Sequence, residues 1–493
     1  MYFPSFKEFC KKAKEGNLIP IYKEILADME TPVSAFYKMN NSRYSFLLES
    51  VEGGEKWGRY TFLGFNPSII FKSKGSTIYI MNNQNQQEIK NVNNPLNKLR
   101  EFMEGYRPVN IDGLPRFFGG AVGYLSYDIV KFFEELPDTT TDDLDLNDSL
   151  FMITDSILIF DNLKQTLKVV SNVNLSGNHT LECLYSDAVK KIDSIISRLK
   201  GTVHIKPIDT QDKAYLNMTS NLSKEQFEDI VVKAKEHIVA GDVIQVVLSQ
   251  RFQIQANLDP FNIYRSLRTI NPSPYMFYLK CDDLFIVGSS PEVMVRVEDK
   301  NISLRPIAGT RPRGKTLSED REFEKDLLKD PKERAEHIML VDLGRNDVGR
   351  VATIGTVNVN ELMVIEKYSH VMHIVSNVQG ILDEGKDIFN VMEACFPAGT
   401  VSGAPKVRAM EIIEDLEPTK RGPYAGAVGY FSFSGNMDFC ITIRTIVIKD
   451  NTIYIQAGAG IVADSVPENE WNETKNKAKA MIRAIEMAKN GLR

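Results

Sequence analysis

Short β-type runs separated by turn residues fill the N-terminal part of the chain, and they constrain its fold more than any other feature. Examples are SRYSFLLESV, GRYTFLGF, SIIFKSKGSTIYIM, SLFMITDSILIFDN and TLKVVSNV, with Gly, Asn and Asp between them. Runs of this kind are typical of antiparallel strands. Farther along, strand and helix patterns alternate without a regular βαβ rhythm. We therefore predict a mixed, mostly antiparallel α+β fold built in layers.

Three regions are predicted along the chain. Residues 1–200 hold the β-type runs and end in a helix. Residues 201–222 lack apolar periodicity and are interpreted as a connector. Residues 223–493 begin with Ser223 and Gln226, whose spacing is that of a helix capping box. This last region is predicted to be the second folded part of the protein.

Two predicted helices of the second region carry candidate metal ligands. One begins at the N-cap Asp330, contains Glu336 and is predicted to end near Gly344. The other covers residues 467–490 and contains Glu473. Helical glutamates are usually solvated surface residues. Two carboxylates from different helices also match the sparse protein ligation that Mg²⁺ accepts, and both interpretations stay open.

An eight-residue pattern occurs twice. GAVGYLSY at residues 120–127 nearly repeats as GAVGYFSF at residues 426–433. Chance or a shared strand-turn requirement explains such a repeat. The alternative is that the two parts of the chain contribute related strands to one joint sheet system.

A basic stretch stands out on an acidic chain. The formal net charge is -6, which argues against a general nucleic-acid or membrane-surface binder. Residues 305–315, RPIAGTRPRGK, nevertheless contain four cations and no acid. This concentration of positive charge predicts a pocket for a small anion.

Several classes of protein are excluded by what the sequence lacks. The five cysteines are scattered and never spaced as CxxC, which predicts a reducing cytoplasm and no zinc or disulfide framework. The first thirty residues carry charges throughout, so neither a signal peptide nor a membrane span is expected there. FPAGTVSGAPK lacks the order of a nucleotide-triphosphate loop. The chain contains no GxSxG motif, so covalent acyl chemistry is not expected.

Histidine, arginine and glycine residues of the second region are further candidates. His370 and His373 lie in a predicted strand that places them on opposite faces, so a metal pair is not expected. One of them could act as an acid or base, or both could be structural. Arg444 alternates with Ile in a predicted strand and is expected to point inward or to pair with an anion. Gly458 and Gly460 either admit a ligand close to the backbone or simply end a strand.

Five motifs together resemble the chorismate-binding enzymes. They are PIAGTRPRG, AEHIMLVDLGRND, FPAGTVSGAPK, GPYAGAVGY and AGAGIVADSVPENEWNETKNKA, and LLES precedes them near the N-terminus. Each motif alone is weak, but five in this order are specific. The resemblance implies a β sandwich flanked by helices, with residues 223–493 as the chorismate-binding catalytic domain. The implied substrate is a dianion with a ring carboxylate and an enolpyruvyl carboxylate.

The resemblance also assigns residues by their matching positions. His373 would be catalytic and would transfer a proton to the leaving group, and Thr400 would lie beside the reacting ring. Glu336 and Glu473 would hold Mg²⁺. Chorismate would be bound by Gly309, Thr310, Tyr424, Arg444, Gly458, Ala459 and Gly460. Tryptophan would be bound, in the N-terminal LLES element and near NPSPYMFY, by Ser50, Pro274, Tyr275 and Met276.

The implied reaction is amination of chorismate. Ammonia would add at C2 with loss of the C4 hydroxyl, giving 2-amino-4-deoxyisochorismate, and elimination of pyruvate would then give anthranilate. Family members that make 4-amino-4-deoxychorismate carry a nucleophilic lysine where this chain has Ala308. Isochorismate and salicylate synthases carry a water-activating lysine where it has Gln245. An inactive tryptophan-sensing subunit would be expected to lose Glu336, Glu473 or His373.

The resemblance implies partners as well. No cysteine lies in the context of a glutaminase nucleophile, so a separate glutamine amidotransferase subunit would supply ammonia. The two chains would form a hetero-oligomer, expected to be a heterotetramer. Tryptophan would act as a feedback inhibitor, as expected for the first committed step of tryptophan biosynthesis.

Overall fold

Strands outnumber helices, as the short β-type runs predict. The computed structural model describes residues 1–40, 42–50, 58–82, 85–203, 216–368 and 371–492. Its strands β1 to β24 are, in chain order, Leu18–Leu26, Tyr44–Glu49, Tyr60–Phe65, Ile69–Lys74, Thr77–Asn82, Gln86–Ile89, Gly120–Leu125, Ser149–Thr154, Ser156–Asp161, Thr166–Asn174, Met218–Ser220, Gln245–Gln255, Tyr275–Cys281, Leu284–Ser290, Val293–Glu298, Asn301–Leu304, Ile307–Pro312, Asn358–Lys367, Val371–Ile381, Gly403–Ala404, Ala427–Ser432, Met437–Ile441, Thr445–Lys449 and Thr452–Ile461. Its α-helices α1 to α11 are Phe6–Lys12, Pro32–Met39, Pro95–Glu104, Leu181–Leu199, Lys224–Ala240, Pro260–Ile270, Leu317–Lys329, Pro331–Gly349, Ile388–Cys395, Lys406–Leu416 and Pro467–Lys489.

The strands form two large sheets. The first has the order β1-β10-β9-β3-β2-β13-β14-β23-β24-β12-β11, with β20 beside β12. The second has the order β17-β19-β16-β15-β22-β21-β7-β8-β4-β5-β6, with β18 beside β19. Neighbouring strands pair antiparallel, from β1 with β10 to β7 with β8. The predicted antiparallel layered α+β fold is confirmed.

Both sheets combine strands from before and after the predicted connector. In the first sheet β2 pairs with β13, and in the second β7 pairs with β21. Within the connector, residues 204–215 lie outside the described part, and Met218–Ser220 form β11 against β12. The division into an inhibitor-binding region, residues 1–200, and a catalytic region, residues 223–493, stays a prediction. The two regions do not form separate sheets, because strands from both pair within each sheet.

The repeated eight-residue pattern is the junction between the two parts of the second sheet. Gly123 of β7 lies opposite Gly429 of β21, with Val122 and Val428 in adjacent pairs. A Cβ atom on either glycine would overlap a backbone carbonyl oxygen of the next strand, that of Leu150 or of Asp438. The repeat therefore supplies related strands to one sheet, as its second interpretation proposed.

The two sheets pack face to face, with helices on their outer surfaces. Phe62 of the first sheet contacts Tyr430 of the second at 6.0 Å between ring centroids. The same buried cluster includes side chains of α4, α6 and α11 that cover the first sheet. A second cluster joins the other sheet to α3 and α9, for example through Phe389 and Phe431. This helix–sheet–sheet–helix arrangement confirms the predicted sandwich flanked by helices.

Local signals place several helices correctly. Ser223 and Gln226 form the predicted capping box of α5, and Gly241 adopts the left-handed conformation at its end. Asp330 caps α8 through its side chain. The predicted end of α8 near Gly344 is wrong, because the helix continues to Gly349. Gly344 is buried inside the helix, where a Cβ atom would lie 3.6 Å from a methyl carbon of Val378, so it serves close packing and not termination. None of the helices in the described ranges could cross a bilayer.

Candidate active site

A β-bulge brings Thr310 and His373 together. Ala308 of β17 lies opposite Ile374 of β19, and Thr310 lies opposite His373, so Gly309 is the extra residue. Gly309 has a φ of 70°, a conformation that glycine adopts without strain. Its carbonyl oxygen is 2.9 Å from His373 Nδ1, and Thr310 Oγ1 is 3.0 Å from the same nitrogen. A carbonyl can only accept, so Nδ1 carries the proton and Nε2 is free to accept one.

The environment of His373 favours the neutral imidazole. Burial lowers the pKa of His373 below its usual value, and the nearby charge of Arg444 lowers it as well. The Gly309 carbonyl opposes this effect without reversing it. At neutral pH the side chain is therefore a base with a free Nε2. His370 lies outside the described residues.

Thr400 lies on a short 3₁₀ turn and holds a second ionisable group. The turn covers Gly399–Val401, and Thr400 Oγ1 donates to Glu292 Oε2 at 2.9 Å. Burial raises the pKa of Glu292, while Thr400 and the positive charges of Arg444 and Lys477 oppose the rise. Glu292 follows the buried strand β14 in SSPEV, a signal that sequence reasoning missed. It is the group near Thr400 best suited to hold a proton.

Arg444 is a partly buried cation near Glu292. It lies between β22 and β23 with a φ of 51°, so the prediction that it continues a strand is wrong. Burial lowers the pKa of Arg444, and the charge of Glu292 opposes this effect. Across the described ranges, its guanidinium makes no hydrogen bond and no ion pair. A partly buried, unpaired guanidinium is suited to bind a carboxylate.

Gly458 and Gly460 of β24 allow the side chains of Tyr424 and Gln245 to lie close to the strand backbone. A Cβ atom on Gly458 would lie 2.6 Å from Tyr424 Oη, and one on Gly460 would overlap the side-chain amide of Gln245. Burial raises the pKa of Tyr424 to about 12, so its hydroxyl remains a donor. Ala459 points its methyl group into a buried apolar cluster and offers the site only its backbone.

One edge of this glycine segment lies open. On one side Gly458 and Gly460 pair with β12. On the other side β23 pairs with β24 only as far as Ile455, so no strand of the described part covers that edge of residues 456–461. Apart from the Gly458 carbonyl, which accepts from Lys477, the backbone groups of this edge are not covered by a strand, and the glycine pattern predicts that a ligand approaches here.

Glu336 and Glu473 lie at the same end of β24. Gln245 Nε2, next to Gly460, donates to Glu336 Oε1 at 3.1 Å. Lys477 Nζ contacts Glu473 Oε1 at 2.6 Å and donates to the Gly458 carbonyl at 3.0 Å. Within the described residues no group of three or more potential ligands converges. Two partly exposed carboxylates fit Mg²⁺, which keeps most of its coordination for water and substrate oxygens.

Sequence reasoning missed two further carboxylates one helical turn earlier. Glu333 precedes Glu336 on α8, and Glu470 precedes Glu473 on α11, in both cases with the spacing ExxE that puts both on one face. Burial raises the pKa of both Glu333 and Glu470, and the neighbouring glutamate contributes in each case. The charge of Lys332 on α8 acts on Glu470 of α11, so the first turns of the two helices approach each other.

The basic stretch at residues 305–315 is not the predicted anion pocket. Arg305 pairs with Glu361 and Glu366 of β18. The other two arginines are paired as well: Arg311 with Asp326, Asp330 and Glu333, and Arg313 with Asp320. These acids follow the stretch in sequence and return to it only in the fold, so a local count of charge could not reveal them. Lys315, the fourth cation of the stretch, has no ion pair within the described ranges, and the same holds for Arg444.

The four residues predicted to bind tryptophan line one cavity between the sheets. The cavity has an empty volume of about 520 Å³ and is bounded by Ser50, Pro274, Tyr275 and Met276, among others. Met276 pairs with Glu49 across β13 and β2. The cavity has apolar walls with charged residues at its floor, where Tyr275 donates to Asp438 at 2.7 Å. Its ligand stays a prediction.

Known proteins resemble this chain along nearly its whole length. A family model described as chorismate binding enzyme matches residues 44–483. Anthranilate synthase component 1 from Acetivibrio thermocellus is 52% identical over 99% of both chains. The protein of the same name from Aquifex aeolicus is 52% identical over 98% of both. Anthranilate synthase component I from Streptococcus pneumoniae TIGR4 has a TM-score of 0.78 and 35% identity, covering 93% of this chain and 98% of its own.

Proposed function

The chain belongs to the chorismate-binding enzymes, and from that premise we propose that it converts chorismate and ammonia to anthranilate, pyruvate and water. It would be the aminating lyase, the large subunit of the first committed step of tryptophan biosynthesis. The observation that carries the proposal is the unpaired Arg444 next to the acid–base groups Glu292 and His373. A dianionic substrate needs such a cation, and its amination needs both a proton donor and a proton acceptor.

Binding of chorismate would use groups that the fold leaves free. Arg444 would take one carboxylate in a bidentate fork, and the Tyr424 hydroxyl would donate to the same end of the substrate. The open backbone edge at Gly458 and Gly460 would lie against it. Gly309 and Thr310 approach from the bulge that also holds His373.

The first step would use Glu292 as the acid. Loss of the C4 hydroxyl requires a proton on the departing oxygen. Thr400 donates to Glu292 Oε2, which leaves Oε1 to carry that proton. Because the pKa of Glu292 is raised, its carboxyl would keep the proton at a higher pH than an ordinary glutamate does. We assign this transfer to Glu292 and not to His373, because the imidazole is neutral at the same pH.

The second step would use His373 as the base. Elimination of pyruvate requires removal of the proton at C2, and Nε2 of a neutral His373 is free to accept it. The Gly309 carbonyl fixes the tautomer by accepting from Nδ1–H. Two groups with opposite protonation states would thus serve the two steps.

Glu336 and Glu473 would hold Mg²⁺, which when bound supplies positive charge to the ring carboxylate of the substrate. Gln245 would orient Glu336 through its hydrogen bond, and the ion pair with Lys477 would balance the charge of Glu473 in the absence of metal. Glu333 and Glu470, one turn earlier, add negative charge at the same end of the two helices.

Two small or neutral residues support ammonia as the attacking group. Ala308 lies next to the bulge and carries no nucleophile, which disfavours the 4-amino-4-deoxychorismate reaction. Gln245 is a neutral amide that already donates to Glu336, so it offers no base for activating water. Glu336, Glu473 and His373 are all retained, which disfavours an inactive regulatory subunit.

Partners and regulation form part of the same proposal. A separate glutamine amidotransferase subunit would deliver ammonia, in a hetero-oligomer expected to be a heterotetramer. Tryptophan would bind in the cavity lined by Ser50, Pro274, Tyr275 and Met276 and inhibit the enzyme. All five cysteines, each within the described part, are free thiols, which supports a reducing cytoplasm as the location.

The test is formation of anthranilate by the purified chain from chorismate, MgCl₂ and an ammonium salt, followed by fluorescence and by mass spectrometry of the products. EDTA should abolish the activity, and glutamine alone should not support it. Arg444→Gln should raise KM for chorismate by about 10- to 100-fold, the worth of a lost charged hydrogen bond. The exposed Arg345→Gln is the matched control. Isochorismate or 4-amino-4-deoxychorismate as the product would refute the proposal.

A further inference from the structure

The fully buried arginine of the GPYAG motif region, Arg421, lies behind the candidate site. From its contacts we infer that Arg421 is a positioning residue, which fixes the turn carrying Thr400 against the strand segment Gly458–Gly460. The inference rests on the proposed function, because it concerns how the catalytic groups are held. Only 2% of the Arg421 side-chain surface is exposed.

The guanidinium bonds to two carbonyls that belong to different walls of the site. Its Nη1 donates to the carbonyl of Val401 at 2.8 Å, and Val401 is the last residue of the Thr400 turn. Its Nη2 donates to the carbonyl of Val247 at 2.7 Å. Val247 lies opposite Gly460 in the pairing of β12 with β24. One planar group therefore fixes the distance between the turn and the glycine segment.

Glu417 holds the guanidinium in this orientation. Its carboxylate accepts from Nε at 2.9 Å and from Nη2 at 2.6 Å, a bidentate pair. The same carboxylate accepts from the backbone N–H and the hydroxyl of Ser249, at 2.7 and 2.9 Å. Ser249 lies opposite Gly458. The ion pair is thus anchored to β12 at both positions that face the glycine segment.

A third wall of the site contacts the same cation through its aromatic face. The Arg421 guanidinium lies 4.6 Å from the ring centre of Tyr127 and 5.7 Å from that of Tyr424. The hydroxyl group of Tyr424 lies next to Gly458. Arg421 therefore contacts the Thr400 turn, β12 beside the glycine segment, and Tyr424.

The chemistry of the side chain explains why an arginine is needed. A buried ion pair is a weak source of stability, because desolvation offsets most of the attraction, and apolar residues of similar volume often serve as well. Lysine has three donors on a flexible stem and cannot form a bidentate pair and two divergent carbonyl bonds in one plane. The arrangement is therefore expected to contribute more to geometry than to stability.

The expected result is a selective loss of kcat. Arg421→Met and Arg421→Lys should lower kcat of ammonium-dependent anthranilate formation by about 10²-fold, the effect of displacing a reacting group by roughly 1 Å. KM for chorismate should change by less than about threefold, since Arg444 keeps its place. Arg100→Met is the control, because that partly buried arginine of α3 pairs with Asp387 and Glu393 and not with the Thr400 turn or β12. It should keep the wild-type kcat.

A double-mutant cycle separates positioning from general loosening. If Arg421 acts through Thr400, adding Arg421→Met to Thr400→Val should lower kcat by less than about threefold beyond Thr400→Val alone. Full additivity of the two effects would overturn the inference. So would a folded Arg421→Met enzyme with wild-type kcat, or one whose KM alone rises.

Two further measurements keep the test decisive. If Arg421→Met does not fold, Glu417→Gln takes its place, because it retains the shape of the pair and removes its charge. A folded Glu417→Gln enzyme with the kcat of the wild type would also overturn the inference, and a kcat loss coupled to Thr400 would support it. Wild-type chain that forms no anthranilate at all would instead refute the proposed function, so the two failures are distinguishable.

Discussion

At the scale of single residues, the site depends on two ionisable groups whose pKa values are shifted toward each other. Burial raises the pKa of Glu292 and lowers that of His373. Both shifts favour the neutral forms of the two groups, a protonated carboxyl and an uncharged imidazole. Neither group needs a charged partner to reach that state, because loss of hydration is the largest cause in both.

Replacing His373 should separate the two steps of the reaction. His373→Ala is expected to lower the rate of anthranilate formation by about 10²–10⁴-fold, the usual worth of a positioned base. Amination should continue, so the amino intermediate should accumulate and be seen by mass spectrometry. The exposed His179→Ala is the control. Anthranilate formation within twofold of wild type would show that another group removes the C2 proton.

The pH profile gives a second view of the same residue. Because burial lowers the pKa of His373, the acid limb of kcat/KM for the wild type should lie below pH 6.5, the ordinary value for histidine. A limb above pH 6.5 would contradict the neutral imidazole on which its role as a base depends.

Asp128 should destabilise the folded state at neutral pH. Burial raises the pKa of Asp128 from 3.8 to about 6, and the charge of Asp148 contributes. The folded state therefore binds the proton more tightly, and its stability falls as pH rises from 4 through 6. Asp128→Asn keeps an acceptor for the Gly422 N–H and should stabilise the protein at pH 7.5 by on the order of 3 kcal/mol. Urea unfolding at pH 4 and pH 7.5 measures this; an equal effect at both would refute it.

At the scale of elements, close strand approach depends on glycine. Gly429→Ala places a Cβ atom against the Asp438 carbonyl oxygen, a backbone atom that cannot move aside. We expect loss of at least about 3 kcal/mol of stability, as for severe overpacking, or no soluble protein. Gly349→Ala, with nothing within 4 Å of the added atom, is the control and should be neutral or stabilising. Thermal unfolding compares them, and equal melting temperatures would contradict the prediction.

Local sequence signals predicted elements better than they predicted charge partners. The capping box at Ser223 and the N-cap Asp330 were sufficient because caps involve neighbours three residues apart. Arg311 was misleading because its three acids lie on the two helices that follow it or at the cap between them. Glu292 was missed because its raised pKa arises from burial, and the sequence around a single turn residue does not indicate that the residue is buried. Motif resemblance pointed to His373 and Thr400, and only the fold showed that Glu292 lies beside Thr400.

At the scale of the whole molecule, the cavity between the sheets and the candidate site share a strand. Asp438 and Cys440 of β22 line the cavity, and the next residue, Ile441, donates its N–H to the Glu292 carbonyl at 3.1 Å. A ligand in the cavity that shifts β22 would therefore move Glu292. This contact would give the proposed inhibition a route that does not require the inhibitor to reach the substrate.

Tryptophan binding should accordingly oppose chorismate binding. Ser50→Phe should fill the cavity and abolish inhibition by tryptophan while kcat stays within twofold of wild type. Reciprocity requires that a chorismate analogue weaken tryptophan binding by the factor by which tryptophan weakens the analogue. Calorimetric titration of tryptophan with and without the analogue measures that factor. Equal affinities in the two titrations, or full inhibition of Ser50→Phe, would contradict the coupling.

The pairing of β7 with β21 sets the order in which the protein can be completed on the ribosome. Residues 120–125 must wait for residues 427–432 before the second sheet can close. Until then the free edge of β7 exposes unpaired backbone groups, which can associate with other nascent chains. Pairing between such distant segments is also slow. The yield of native protein should therefore depend on elongation speed and on chaperones, and a chain released before residue 427 should aggregate.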